Sequence, residues 1–291
     1  NPVYDALASR VIDYLAAMPE AGDDTWPADL PRGLYPMFIS VESGKFTSQE
    51  ITLGARADSL YEYLLKQWLL SSRTDGRGRR MYEQSVAAIG EHLVASGGPS
   101  RCRNCTLLRQ WNHRTRTYNE NMDHLVCFVP GMLALGAQHI PEAEAEGHVR
   151  LAADLMETCY AMYEKQPTGL APEFVKFDGG AMRAGAYHNL LRPEAAESLF
   201  YLWRFTKDPK YREWGWKMFV AFEKHTRIES GGYAGIQNVA SKNSAKDDTM
   251  QTFWLAETLK YFLMLFSDDS ILDLNTHVIN TEAHPLKVLP D

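Results

Sequence analysis

The chain contains no run of about 18 apolar residues, so it offers no candidate membrane-spanning helix. It has no excess of positive charge: 37 acidic residues stand against 30 basic ones, a formal net charge of −7. Such a balance has little to offer a polyanion, and nucleic acid is excluded as an expected partner. No secretory leader pattern opens the chain. NPVYDALASRVIDYLAAM carries apolar residues at helical spacing instead. That absence does not assign a compartment, because a chain can begin after a processing site. Cysteine is scarce. Cys102, Cys105, Cys127 and Cys159 allow three disulfide connectivities. Only one C-x-x-C is present, with no second pair and no nearby H-x-x-x-H, so a zinc site has little support. The NCT triplet from Asn104 to Thr106 is a glycosylation sequon, as expected of a secreted chain. No sequence repeat and no shift in composition are visible. Residues 1–291 therefore read as a single domain.

What is present is helix. The composition, 45% hydrophobic and 23% charged, suits a globular chain with a large core. Apolar residues recur at helical spacing in 3–18, 57–72, 80–96, 123–137, 145–165, 193–206, 209–226 and 248–267. Between these lie long segments expected as loops: 19–46, with a short extended piece at YPMFIS, and 99–124, 165–191 and 227–248. Loops of this length in a compact domain are usually functional, so the helices read as scaffold and the loops as working end. The tail 271–289 alternates and is β-branched, which predicts a hairpin. Long helix, loop, long helix is the rhythm of an all-α bundle, solenoid or barrel of helix pairs.

Acidic residues recur at the starts of these helices. RPEAAE places Glu194 and Glu197 one turn apart on one face, behind Arg192 and Pro193. Like charges so placed repel, so the pair is either a solvated first turn that favours the helix dipole or one wall of a carboxylate pocket. In LGARADSLYEYLLKQWLL the face made by Asp58, Glu62 and Lys66 is distinct from the apolar one, and spacing alone makes it a cap plus surface. Glu257 lies inside a helix that is apolar on nearly all faces, where an unpaired carboxylate is costly unless it meets a polar cavity or a cation. His124 stands at a helix start, a position more often structural than ligating. Clustered carboxylates raise one another's pKa, which is what acid/base cleavage of a glycosidic bond requires. The residues alone reach no further than a possible hydrolase.

The stretches TLGARADSLYEYLLKQW, MDHLVCFVPGMLALG, GLAPEFVKF, YHNLLRPEAAESLFYLWR, RIESGGYAGIQNV, DDTMQTFWLAETLKYFLMLF and VINTEAHPL, spread over residues 52–286, resemble the class I α-1,2-mannosidases, glycoside hydrolase family 47. The resemblance implies an (αα)7 barrel with a C-terminal β-hairpin plugging one end. It implies an inverting exo-hydrolase that trims terminal α-1,2-linked mannose from high-mannose N-glycans. It implies one Ca2+ on the O2 and O3 hydroxyls of that mannose, with Thr281 as metal residue through its hydroxyl and carbonyl. Glu282, Glu257 and Glu197 would hold the ion's waters. By the same matching Glu194 is the base that activates water, and Asp58 is the other catalytic carboxylate. Arg192, His124, Phe253 and Glu257 surround the terminal mannose, with Phe253 stacked on its ring. Glu173 and Arg56 contact outer sugars, and the arginine at position 56 is the ER-type choice, which implies selective trimming of one branch. Cys127 and Cys159 match a disulfide of the processing enzymes, placing the chain in the secretory-pathway lumen or outside the cell.

The resemblance also carries a mismatch. Eight helices make about four pairs, whereas the family barrel has seven, and the motif bearing its general acid is absent. The chain is therefore expected to form the C-terminal part of the barrel, to need an N-terminal polypeptide of the same enzyme, and not to turn over substrate alone. The other reading is a non-catalytic or weakly catalytic mannose-binding relative of the ER-degradation type, although such relatives generally lack the Cys127/Cys159 pair.

Overall fold

The computed structural model describes residues 2–22, 25–97, 105–178 and 180–290. The apolar rhythm appears among them as eight α-helices. After α1 (Pro2–Ala17) and a long connection, α2 (Asp58–Leu70) buries Tyr61, Leu64, Leu65, Trp68 and Leu69. Ser72 and Arg73 then take left-handed φ of 53° and 66°, which reverses the chain into α3 (Gly76–Ala88). Asp75 caps α3 by accepting from the N–H groups of Arg77 and Gly78. The helix expected to reach 96 stops earlier: a π-helical turn, Ile89–Leu93, leads into a strand over Val94–Ser96.

The next helix is expected from 123, but its first residues, His124–Phe128, form a 3-10 turn. The α-helix proper, α4 (Val129–Ala137), is buried at every position. It is followed by α5 (Glu142–Glu164), α6 (Glu194–Thr206) and α7 (Lys210–Thr226). The last predicted helix also starts late, as a π-helical turn over Trp254–Thr258 that continues into α8 (Leu259–Phe266). The inner helices α2, α4, α6 and α8 are neighbours in that order, and α3, α5 and α7 pack outside them. This is the α/α-barrel arrangement expected of helix pairs. Among the described residues no helix is long and apolar enough to cross a membrane.

The inner helices meet closely. A methyl group added at Gly131 in α4 would lie 3.0 Å from the Tyr201 ring and 3.1 Å from Ser198 of α6. The Gly131 N–H donates to Ser198 Oγ at 2.8 Å, and that hydroxyl donates to the Cys127 carbonyl. The expected disulfide is present: Cys127 and Cys159 tie the 3-10 turn to α5 across 32 residues of sequence. Cys105 is also disulfide-bonded, which removes it as a thiolate ligand, while Cys102 and the sequon residue Asn104 lie outside the described residues.

The segments expected as loops are partly sheet. Within 99–124 and 165–191, Met122–Asp123 pairs antiparallel with Phe174–Asp178, which in turn pairs with Ala181–Ala186. The tail forms the predicted hairpin, His277–Ile279 against Pro285–Lys287. It packs on α2, where the Leu289 N–H donates to the Leu70 carbonyl at 2.9 Å, and on α8, where Lys260 Nζ donates to the Ala283 carbonyl at 2.7 Å. The hairpin thus fills the space between the first and last inner helices.

Candidate active site

Helices α2 and α6 both begin at the same end of the barrel, and their first turns supply the carboxylates. Asp58 and Glu62 from α2, Glu194 and Glu197 from α6, Glu257 from the π-helical turn, Phe253 just before it and Thr281 from the hairpin line one cavity of about 120 Å³. Leu125, Phe128 and Pro193 form its apolar wall. Glu62, Glu194, Glu197 and Glu257 are each at most 9% exposed. The working end therefore comes from helix starts, with loops adding flanking groups. The cap-plus-surface reading from spacing needs correction: Asp58 is no cap, since α2 has Ala57 at its N-cap with no side-chain cap bond, and Glu62 and Lys66 are 6% and 3% exposed. Lys66 forms a buried ion pair with Glu62 and lies 3.4 Å from Glu197 Oε1. The misreading has a simple cause: α2 is an inner helix, and the face that carries Glu62 and Lys66 is buried along with its apolar face.

The carboxylates are not equivalent. Burial alone would raise Glu194, but its pKa lies below the ordinary value, with the hydrogen bond to His124 and the charge of Arg192 opposing the burial. His124 Nδ1 lies 2.6 Å from Glu194 Oε2, and Arg192 Nη1 lies 3.8 Å from Oε1. Burial, followed by the charge of Glu62, pushes Glu197 up to about 8, against the pull of Lys66 and the Tyr261 hydroxyl at 3.1 Å. Burial and the negative charges of Glu282, Glu194 and Glu62 push Glu257 up to about 8 as well. Asp58 is raised by burial and then by Glu194 and Glu62, although the Ser59 N–H opposes the shift. Glu194 is thus shifted down while Glu197, Glu257 and Asp58 are shifted up.

The remaining predicted residues surround this cavity. Arg192 Nε donates to Glu173 Oε2 at 2.6 Å, and Arg192 lies 6.0 Å from the Phe253 ring centroid in a cation–π arrangement. The His124 N–H donates to the Glu173 carbonyl at 2.8 Å, so the strand pairing fixes both residues together. Arg56 is exposed and lies over the Phe38 ring at 5.5 Å, outside the cavity lining. Glu282 is exposed too and reaches the site through its charge on Glu257. Left-handed backbone occurs within two residues in sequence of Asp58, Pro193 and Thr281: Arg56, Leu191 and Ala283 have φ of 76°, 66° and 56°. Such conformations in non-glycine residues concentrate where surrounding structure fixes a functional geometry. Sequence reading missed Lys66, Tyr63 and Tyr163. The Tyr63 hydroxyl lies 3.0 Å from Thr281 Oγ1, a contact across 218 residues that spacing along α2 does not reveal.

Among the described residues, no three His, Cys, Asp or Glu side chains converge closely enough to ligate one metal directly. A transition-metal site does not fit. The set that is present, Thr281 in a cavity of about 120 Å³ ringed by carboxylates, suits a hard cation that keeps much of its hydration.

An α/α barrel with an acidic cavity at one end of its inner helices defines a class of carbohydrate-active fold. The chain belongs to glycosyl hydrolase family 47, whose profile matches residues 1–288. Over 267 residues it is 42% identical to human mannosyl-oligosaccharide 1,2-alpha-mannosidase IB, covering 90% of this chain and 40% of that protein. Over 267 residues it is 46% identical to the rat endoplasmic reticulum mannosyl-oligosaccharide 1,2-alpha-mannosidase, covering 88% and 39%. The solved alpha-1,2-mannosidase from Trichoderma reesei superposes with a TM-score of 0.88 at 26% identity, covering 99% of this chain and 62% of that one. The chain thus spans about two-fifths of the length of these curated relatives.

Proposed function

We propose that the chain carries the larger part of the active site of an inverting, Ca2+-dependent exo-α-1,2-mannosidase that trims terminal mannose from high-mannose N-glycans. The observation that carries this reading is the inequality of the carboxylates. Glu194 is held ionised by His124 and Arg192, while Glu197, Glu257 and Asp58 are all raised. An ionised carboxylate inside a cavity can take a proton from water, as an inverting mechanism requires. Glu194 would accept that proton as the water attacks the anomeric carbon. Asp58 would be the second carboxylate, near the scissile oxygen. Phe253 would stack on the sugar ring, with Arg192 and Glu173 orienting its hydroxyls and Arg56 contacting an outer branch.

Thr281 would hold the calcium ion through Oγ1 and its carbonyl, with Glu197, Glu257 and Glu282 acting through water. Bound there, the ion would fix two hydroxyls of the terminal mannose. The names of the relatives support mannose as substrate and the lumen of the secretory pathway as location. The disulfide supports an oxidising compartment.

Turnover is proposed for the chain together with an N-terminal polypeptide of the same enzyme that supplies the acid. Exposed apolar faces support such a partner: Val3, Tyr4, Leu7 and Val11 on α1 are 51–71% exposed, and Leu255 and Leu263 are 58% exposed.

The test has two arms. Calcium should raise the Tm of the 291-residue chain, and Thr281→Ala should abolish that rise. The native preparation, including any co-purifying polypeptide, should release mannose whose anomeric proton signal shows inversion. A calcium-insensitive Tm would remove the cation from the reading, and retention of configuration would remove the mechanism.

A further inference from the structure

Glu194 is not the end of its hydrogen-bond chain. His124 Nδ1 lies 2.6 Å from Glu194 Oε2, and His124 Nε2 lies 2.6 Å from the hydroxyl of Tyr163 on the outer helix α5. His124 and Tyr163 are 2% and 1% exposed, and their rings meet edge-on at 5.6 Å. Among the described residues the Tyr163 hydroxyl has no other hydrogen-bond partner. Burial, and then the charge of Glu194, push the phenol pKa well above its ordinary value, so the hydroxyl keeps its proton.

Three proton arrangements are open to the ring, and counting donors separates them. An imidazolium donates from both nitrogens, so the phenol oxygen must accept and its own proton is left buried without an acceptor. A neutral ring protonated at Nε2 turns the Nδ1 lone pair towards the Glu194 carboxylate, acceptor against acceptor. A neutral ring protonated at Nδ1 satisfies every group: the phenol donates to Nε2, and Nδ1–H donates to the carboxylate. Buried polar groups left unmatched are costly, and only the last arrangement leaves none.

We propose that Tyr163 is a positioning residue that fixes His124 as the neutral Nδ1–H tautomer, a standing donor to Glu194 Oε2. One carboxylate oxygen is thereby occupied, and Oε1, on the Arg192 side, is left to take a proton from water. This last role rests on the reading of Glu194 as base. The tautomer does not: it needs only the hydrogen-bond chain and an ionised Glu194 carboxylate.

The test uses the full chain labelled with 15N-histidine and long-range 1H–15N correlation at neutral pH. The His124 signals are those that vanish in His124→Gln. The expected pattern is a protonated Nδ1 and a bare Nε2, replaced in Tyr163→Phe by a mixture of tautomers or a protonated Nε2. A wild-type ring protonated at Nε2 or at both nitrogens overturns the proposal, as does a Tyr163→Phe pattern that matches wild type. In the preparation that turns over, Tyr163→Phe should lower kcat by roughly tenfold with KM unchanged, the size expected for one lost charge-orienting hydrogen bond. A changed tautomer with unchanged kcat overturns the link to the base and leaves the tautomer standing. A melting curve checks that the phenylalanine variant is folded.

Discussion

At the scale of single residues, the cavity is a problem of too much like charge, and protons are the chain's own answer. Glu197 and Glu257 each rise to about 8 from an ordinary 4.5. Between those limits the folded chain keeps protons that the unfolded chain has released. The folded form therefore binds more protons, and stability falls as pH rises through that window. The metal-free chain should accordingly lose denaturant midpoint steadily between about pH 4.5 and 8 and level off above. Glu257→Gln should flatten that slope, because one of the two contributions is gone. A slope unchanged in the variant would show that Glu257 titrates normally. A cation reverses the sense: it favours the ionised forms, so calcium affinity should climb with pH through the same window and its binding should release protons. Calorimetry in buffers of different ionisation enthalpy measures that release. Much of this was legible from sequence. For Glu194 and Glu197 the spacing left a solvated first turn and a pocket wall both open, and the family resemblance placed them, with Glu257, around one cavity. Lys66 could not be so placed, because a lysine four residues after a glutamate is the ordinary signature of an exposed helix pair. Only tertiary burial separates the two cases.

At the scale of elements, helix existence was legible and helix character at the ends was not. The π-helical turns at Ile89–Leu93 and Trp254–Thr258 and the 3-10 turn at His124–Phe128 carry the same apolar residues an α-helix would. Periodicity cannot see a change of one residue per turn. The strands within 99–124 and 165–191 escaped for another reason. They are two to six residues long, and several carry Arg or Asn rather than alternating apolar residues. Phe174–Asp178 does alternate, with buried Val175 and Phe177 about exposed Lys176, but it too was read as loop because the run is only five residues long. The disulfide is the element-scale feature with the clearest cost. For its 32-residue separation, loss of the bridge should cost about 3–4 kcal/mol by chain entropy. The paired Cys127→Ala, Cys159→Ala variant should show this as a lower denaturant midpoint. An unchanged midpoint would mean that packing of α4 on α5 suffices without it.

At the scale of the whole molecule, the row of inner helices is closed on one side by the hairpin and bears exposed apolar groups on α1 and around α8. Such faces associate unless covered. The chain separated from any partner should bind a hydrophobic dye or self-associate on size exclusion, and should do neither within the native preparation. A monodisperse, dye-silent isolated chain would argue against a missing companion. The Cys127–Cys159 bridge has a further bearing. It lies three residues after His124 and four before Tyr163, about one turn from each end of that contact. Sulfur chemistry and proton chemistry are thereby joined: an oxidised chain holds the imidazole against its phenol by a covalent tether, while a reduced one must rely on packing. Whatever controls thiol oxidation of this polypeptide also bears on how firmly His124 is held against Glu194.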